Sequence, residues 1–210
     1  MPPLPIILLL EGFSFVVLFG LVSLLKREGL SRRFAIEAVI LTLLVGGATF
    51  LGGVQTHPVL FLVILYLFTM RVRLLVDVGN IFATRAQFDL ADKFYTLAAN
   101  LWPDETNRLI LKVNQATSLL QRQKLDEAIA AFREILEQAK TGYLGVKYEA
   151  AARYNLGVAY LRKNMGADAT IAFNTVVDAW PASEYARRAE AAIERQRRKQ
   201  PSMASKEQEK

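Results

Sequence analysis

The distribution of charge along the chain limits its fold more than any other feature. Of 210 residues, the first 70 hold only Lys26, Arg27, Arg32 and Arg33 as bases and Glu11, Glu28 and Glu37 as acids, while everything beyond is charge-rich. A segment with so few polar side chains has no face to turn to water and must lie in a large core or in lipid. Pro5 to Leu25 supplies about twenty mostly apolar residues, enough for a helix to cross a hydrocarbon core of ~30 Å. Phe34 to Gly53 is a second such run. Val59 to Met70 is shorter, rising only about 18 Å as a helix, but Arg71 and Arg73 can snorkel and let Leu74, Leu75 and Val76 extend it. The expected anchor therefore occupies residues 1–70, with helices at about 5–25, 34–53 and 58–76 and three crossings. The alternative is two crossings, with the third run lying at the interface or buried.

Bases set the expected orientation. Lys26, Arg27, Arg32 and Arg33 in the first loop and Arg71, Arg73, Arg85 and Lys93 after the third run fall on one side if there are three helices, and that side is expected to be cytoplasmic. The amino terminus, Met1 to Pro5, carries no charged side chain. It is expected outside, and the first run lacks the basic start of a signal peptide. No Gly/Ser/Pro-rich spacer follows Met70, so the third helix and the next one are expected to form one continuous rod. Ala48 and Gly52 stand at a small-xxx-small spacing that would let another helix approach.

Beyond residue 71 a pattern recurs. Gly157 is followed by Tyr160, Ala169, Phe173 and Pro181, and Gly79 at the same offsets by Phe82, Ala91, Tyr95 and Pro103, with Ala98 inside the copy. A weaker copy on Ala116, Leu119, Ala128, Phe132 and Ile135 lies between them and has no final Pro. This pattern resembles the tetratricopeptide repeat, a helix–turn–helix unit that stacks into a solenoid. The resemblance implies an all-α fold: N-terminal transmembrane helices followed by three helical hairpins over residues 71–199, closed by a capping helix from Ser183. The copies are spaced more widely than the usual ~34 residues, which implies extended helices or enlarged turns. Asp104 and Ser183 are expected helix caps, with Glu105 in the first turn. Residues 200–210 hold too little apolar content to fold and are expected to be disordered.

The resemblance also implies a partner-binding groove. Its positions fall on Asn80 and Thr84, on Val113, Thr117, Leu120 and Gln121, and on Tyr154, Val158, Leu161 and Arg162. The variety of the family that clamps the carboxy-terminal carboxylate of heat-shock chaperones is matched only at Asn80; Val113 and Thr117 stand where it has Lys and Arg. Mixed apolar and hydroxyl positions suit an extended or helical peptide.

Little else points to chemistry. The chain has no Cys and one His, His57, so disulfides, thiolate metal sites and a Cys nucleophile are excluded and no metal site can be assembled from His. No phosphate-binding glycine loop, His-Glu-x-x-His or Gly-x-Ser-x-Gly occurs. The reading is of a protein that is not an enzyme and needs no cofactor. Glu11 is an ionisable residue inside an apolar run and so a candidate intramembrane site, either structural or functional; Glu37 forms an i,i+4 pair with Arg33. Arg187, Arg188, Arg195, Arg197 and Arg198 are interleaved with Glu184, Glu190 and Glu194. That suits a solvated face or anionic-lipid contact better than nucleic acid. The functional expectation is a membrane-anchored adaptor or scaffold holding a protein partner at the cytoplasmic face. The alternative is an accessory subunit of a larger membrane complex or transport module whose transmembrane helices do the work.

Overall fold

The computed structural model describes residues 3–26, 31–52, 56–140 and 144–207, and among these every regular element is a helix. In chain order they are α1 (Leu4–Lys26), α2 (Arg32–Gly52), α3 (Pro58–Thr69), α4 (Arg71–Thr84), α5 (Phe88–Asn100), α6 (Glu105–Gln121), α7 (Leu125–Ala139), α8 (Val146–Arg162), α9 (Gly166–Ala179) and α10 (Glu184–Glu207). The chain divides into two compact units, residues 1–111 and 112–210, so that α6 begins in the first and ends in the second. Most of the first basic loop, Gly53 to Gln55 and the connection Thr141–Tyr143 lie outside the described residues.

In the first unit, α1 and α2 are each long and apolar enough to cross a membrane. They pack antiparallel along a seam of small residues on α2. A Cβ added at Gly12 would fall 2.1 Å from Thr42 Oγ1, and one at Gly46 would lie 3.2 Å from Leu9. Thr42 is buried there because its hydroxyl donates to the Ala38 carbonyl at 2.7 Å, leaving no polar group for the neighbouring helix to satisfy. Ala48 and Gly52, the pair expected to let another helix approach, are exposed on α2. Phe15, Phe19 and Phe34, with Tyr66 of α3, close the bundle at the other end. Outside this core α1 to α3 present apolar surface, with Leu25 82% and Leu51 85% exposed.

The third helix is a correction. In place of one helix over 58–76 running on as a rod, the chain breaks at Met70, and α3 and α4 meet at 71°. No Pro or Gly sits there. Near the break Thr69 Oγ1 donates back to the Leu65 carbonyl at 2.7 Å, as Thr42 and Thr49 do within α2, and an Arg71 guanidinium nitrogen donates to the Phe68 carbonyl at 2.6 Å. α3 alone has 12 residues, too few to span, so among the described residues two helices have the length and apolarity to cross, or three if the bent pair forms one span.

Helices α4/α5, α6/α7 and α8/α9 form the three hairpins, and each first helix ends in the same way. The Gln87 N–H donates to the Phe82 carbonyl and that of Ala86 to Ala83; Lys124 and Gln123 donate to Leu119 and Leu120, and Met165 and Asn164 to Tyr160 and Leu161. These paired bonds are Schellman closures, which require a left-handed residue. Ala86, Gln123 and Asn164 supply it at φ 57°, 62° and 61°. Each stands seven residues after Gly79, Ala116 or Gly157, so the three copies share one register. The wide spacing comes from both sources: α7 has 15 residues against 13 in α5, and six residues join α7 to α8 against four between α5 and α6.

A left-handed conformation costs a residue with a Cβ about 1–2 kcal/mol, less for Asn. After the larger chain entropy of unfolded Gly is deducted, Ala86→Gly and Gln123→Gly are each expected to stabilise by about 0.5–1 kcal/mol, and Asn164→Gly by less. Denaturant midpoints of the three variants in detergent check this; equal shifts at all three sites would contradict it.

Two expected caps are made, Asp104 Oδ1 accepting from the Asn107 N–H at 2.9 Å and Ser183 Oγ from Ala186 at 3.0 Å. α10 covers α9 and α8, with Ala186 and Ala189 buried. It continues to Glu207, past the expected start of a disordered tail at Gln200. Low apolar content argues only against burial. Glu, Arg, Lys and Gln are good helix formers without it, and Glu184–Arg188 and Glu194–Arg198 are i,i+4 pairs.

Candidate functional site

The groove positions differ in what they have left to offer a partner. In the first unit, Asn80 Oδ1 accepts the Tyr95 hydroxyl at 2.7 Å inside the α4/α5 hairpin, while Thr84 is exposed at the end of α4 with its hydroxyl on the Ile81 carbonyl. In the second unit, Val113 and Leu120 are buried. Tyr154 is turned into the protein, 5.7 Å from the Phe173 ring and 5.8 Å from that of Tyr185, so it joins α8 to α9 and α10. Burial pushes the Tyr185 phenol above its ordinary value, with the Arg188 guanidinium opposing the shift.

Exposed Gln121 and Arg162 and half-buried Thr117, Val158 and Leu161 remain. They lie on α6 and α8, which are laced together directly. Asn155 Nδ2 donates to Thr117 Oγ1 at 3.2 Å and an Arg162 guanidinium nitrogen to the Leu120 carbonyl at 3.0 Å. On α7, Arg133 Nε donates to the Tyr160 hydroxyl at 2.7 Å with its guanidinium over the ring, and Lys163 pairs with Asp126. Lys112 donates to Glu134 at 3.0 Å, holding that carboxyl below the usual carboxylate range. The surface between α6 and α8 is thus a fixed strip, apolar at Val158 and Leu161 and polar at Thr117, Gln121 and Arg162. Such a strip can contact a peptide, and it holds no pair of titratable groups poised for proton transfer.

Glu11 lies elsewhere, on a cleft of about 370 Å³ between α1 and Leu62 of α3. One of its carboxylate oxygens is buried and has no hydrogen-bond partner. His57, just before α3, is exposed. Arg187, Arg188, Arg195, Arg197 and Arg198 are all exposed along α10. Among the described residues no three His, Asp or Glu side chains are grouped so as to hold a metal ion.

Sequence reasoning missed a cluster at the α3–α4 break. Glu37 Oε1 accepts from Arg33 Nε at 2.7 Å and from one Arg71 guanidinium nitrogen at 3.0 Å, and its Oε2 accepts from the other at 2.6 Å. Arg33 also donates to the Trp102 carbonyl at 2.7 Å. The Arg33–Glu37 spacing signals the first pair; the other partners are 34 and 69 residues away.

Residues 113–184 match the family described as Tetratricopeptide repeat, the stretch that runs from α6 to the start of α10. Over 101 residues the chain is 31% identical to the protein named Protein STIP1 homolog of Dictyostelium discoideum. That alignment covers 48% of this chain and 17% of the relative, so the chain spans about a sixth of the length of the curated relative it matches. No solved structure matches the chain significantly.

Proposed function

We propose that the chain is a membrane-anchored, non-enzymatic adaptor that uses the strip between α6 and α8 to hold a protein partner at the cytoplasmic face of a membrane. One observation carries the reading. Two apolar helices of membrane length are followed, through the short apolar α3, by a hairpin, α4/α5, built in the same register as the hairpins that match the repeat family. Repeat hairpins of this kind offer extended surfaces for peptides. Arg33, Arg71 and Arg73 gather at one end of the apolar helices, which favours that end as cytoplasmic and the amino terminus outside. The exposed arginines of α10 would meet anionic lipid.

The test uses a photo-crosslinking side chain at Gln121 or Arg162 of the full chain in its own membrane. One partner protein is expected at both sites, and a Leu161→Asp substitution should weaken its capture at least about tenfold, the loss of one ~1.4 kcal/mol contact. Capture unchanged by Leu161→Asp, or equal capture from Arg195 on α10, would sink the reading. Because the chain has no Cys, single cysteines at Thr56 and Gln121 labelled with an impermeant maleimide read the topology separately. The second reading, an accessory subunit whose membrane helices do the work, is favoured by the unpartnered Glu11 oxygen in its cleft.

A further inference from the structure

Two Trp-Pro corners occupy the same place in the repeat, Trp102-Pro103 after α5 and Trp180-Pro181 after α9, each Trp standing 23 residues after its Gly, Gly79 or Gly157. Their backbones differ. Trp180 has φ −140° and is half-buried with the Arg153 guanidinium 5.8 Å from its ring. Trp102 has φ 49°, a region a bulky residue rarely enters, and its side chain is 78% exposed. Arg33 holds this conformation by donating to the Trp102 carbonyl. Arg33 is also the second residue of α2, so the corner sits at the end of the apolar bundle where the basic residues gather.

The apolar surface continues along α5. Leu90, Phe94, Leu97 and Leu101 follow one another at helical spacing and form a stripe beside the buried Ala91, Tyr95 and Ala98. Leu90 is 39% and Leu97 48% exposed. The break at Met70 turns α4, and with it the antiparallel α5, away from the direction of α3 by 71°, toward the plane of a bilayer that α1 and α2 would cross.

From this geometry we infer that the α4/α5 hairpin lies on the bilayer surface, with Trp102 seated among the lipid headgroups and Leu97 and Leu90 against the acyl-chain boundary. The inference rests on the membrane-anchor reading above. Trp favours this zone because its ring is apolar and its N–H still finds a wet partner. The outward turn of Trp102 then places its ring in lipid, whereas the equivalent Trp180 ring folds back under Arg153. The hairpin would hold the first repeat flat against the membrane instead of leaving it on a stalk.

The chain has two Trp, so Trp180→Phe leaves Trp102 as the single fluorophore and Trp102→Phe leaves Trp180. The full chain is reconstituted into phosphatidylcholine–phosphatidylglycerol vesicles with and without bromine near the headgroup end of the acyl chains. A ring within ~5–10 Å of the headgroup–acyl boundary should lose emission about twofold or more in brominated vesicles and resist aqueous acrylamide; Trp180 should do the reverse. If Trp180→Phe misfolds, the difference between the unaltered chain and Trp102→Phe gives the same reading. Trp102 open to acrylamide and blind to bromine overturns the inference. Trp102 shielded from both overturns it too, since protein then covers the corner. Alkaline extraction separates the levels: release from the vesicles overturns the anchor reading along with this one, whereas retention without bromine quenching overturns only this one.

Discussion

Gly157→Ala is expected to destabilise the third hairpin by about 2 kcal/mol, although Ala is the better helix former by about 1 kcal/mol. The reason is distance. A Cβ at Gly157 would fall 2.6 Å from Phe173 Cε1 and 2.8 Å from its Cδ1, and that ring is fully buried, with no free end to swing aside. Overpacking of this kind costs about 1–3 kcal/mol, and the close pairing of a first-helix Gly with a second-helix ring recurs at Gly79, where Tyr95 Cε1 lies 2.5 Å from an added Cβ. The middle hairpin limits the size of the effect. Ala116 holds the same position there, buried, with a buried Phe132, so a hairpin can be built around a Cβ and the variant should fold. The companion change Phe173→Leu shortens the facing side chain. Gly157→Ala/Phe173→Leu should therefore be more stable than the sum of its single changes by about 1 kcal/mol or more. Urea unfolding followed at Trp180 measures the cycle, and strict additivity would show that the ring is not what Gly157 accommodates.

The same pair shows what could be read from the letters alone. Gly79 and Gly157 with aromatics sixteen residues on mark the hairpins because close approach needs a residue without a Cβ, which is a local rule. Trp102 and Trp180 are identical in letter and register, yet one backbone is turned to φ 49° by an arginine 69 residues away, and no local rule contains that contact. Nor could the break at Met70 be read. Thr69-Met70-Arg71 has no helix breaker, and the Phe68 carbonyl beside the bend is met by the Arg71 side chain, whose reach depends on the bend itself. At the groove, the family positions name Tyr154, but its ring lies 5.8 Å from that of Tyr185 on α10, a contact that no pattern within α8 contains. On α2 the small residues that meet α1 are Gly46 and the neighbouring Thr42, while Ala48 and Gly52 are exposed, and hydropathy cannot distinguish the sides of a helix that is apolar all round.

Glu37→Ala is expected to loosen the joint between the apolar bundle and the first hairpin, at about 2 kcal/mol. An exposed ion pair contributes only ~0–1 kcal/mol, while leaving a buried charge without its partner costs about 3–5 kcal/mol. This cluster lies between those limits, for the Glu37 side chain is 17% exposed, Arg71 22% and Arg33 44%. Its geometry is the favourable kind, two Arg71 nitrogens on the two Glu37 oxygens, with the guanidinium also 5.0 Å from the Phe68 ring. Removing Glu37 strands Arg71 beside the α3–α4 break and frees Arg33, whose other contact holds the Trp102 carbonyl. Two consequences should appear together: a lower unfolding midpoint in detergent, and faster proteolysis at the Leu101-Trp102-Pro103 corner. A double-mutant cycle with Arg71→Ala should give a coupling of about 1–2 kcal/mol, nearly unchanged between low and high salt because the pair is shielded from counterions. Coupling that vanishes in salt would reduce the cluster to a surface pair. Proteolysis unchanged while the midpoint falls would separate Glu37 from the corner, leaving Arg33 able to hold Trp102 by itself.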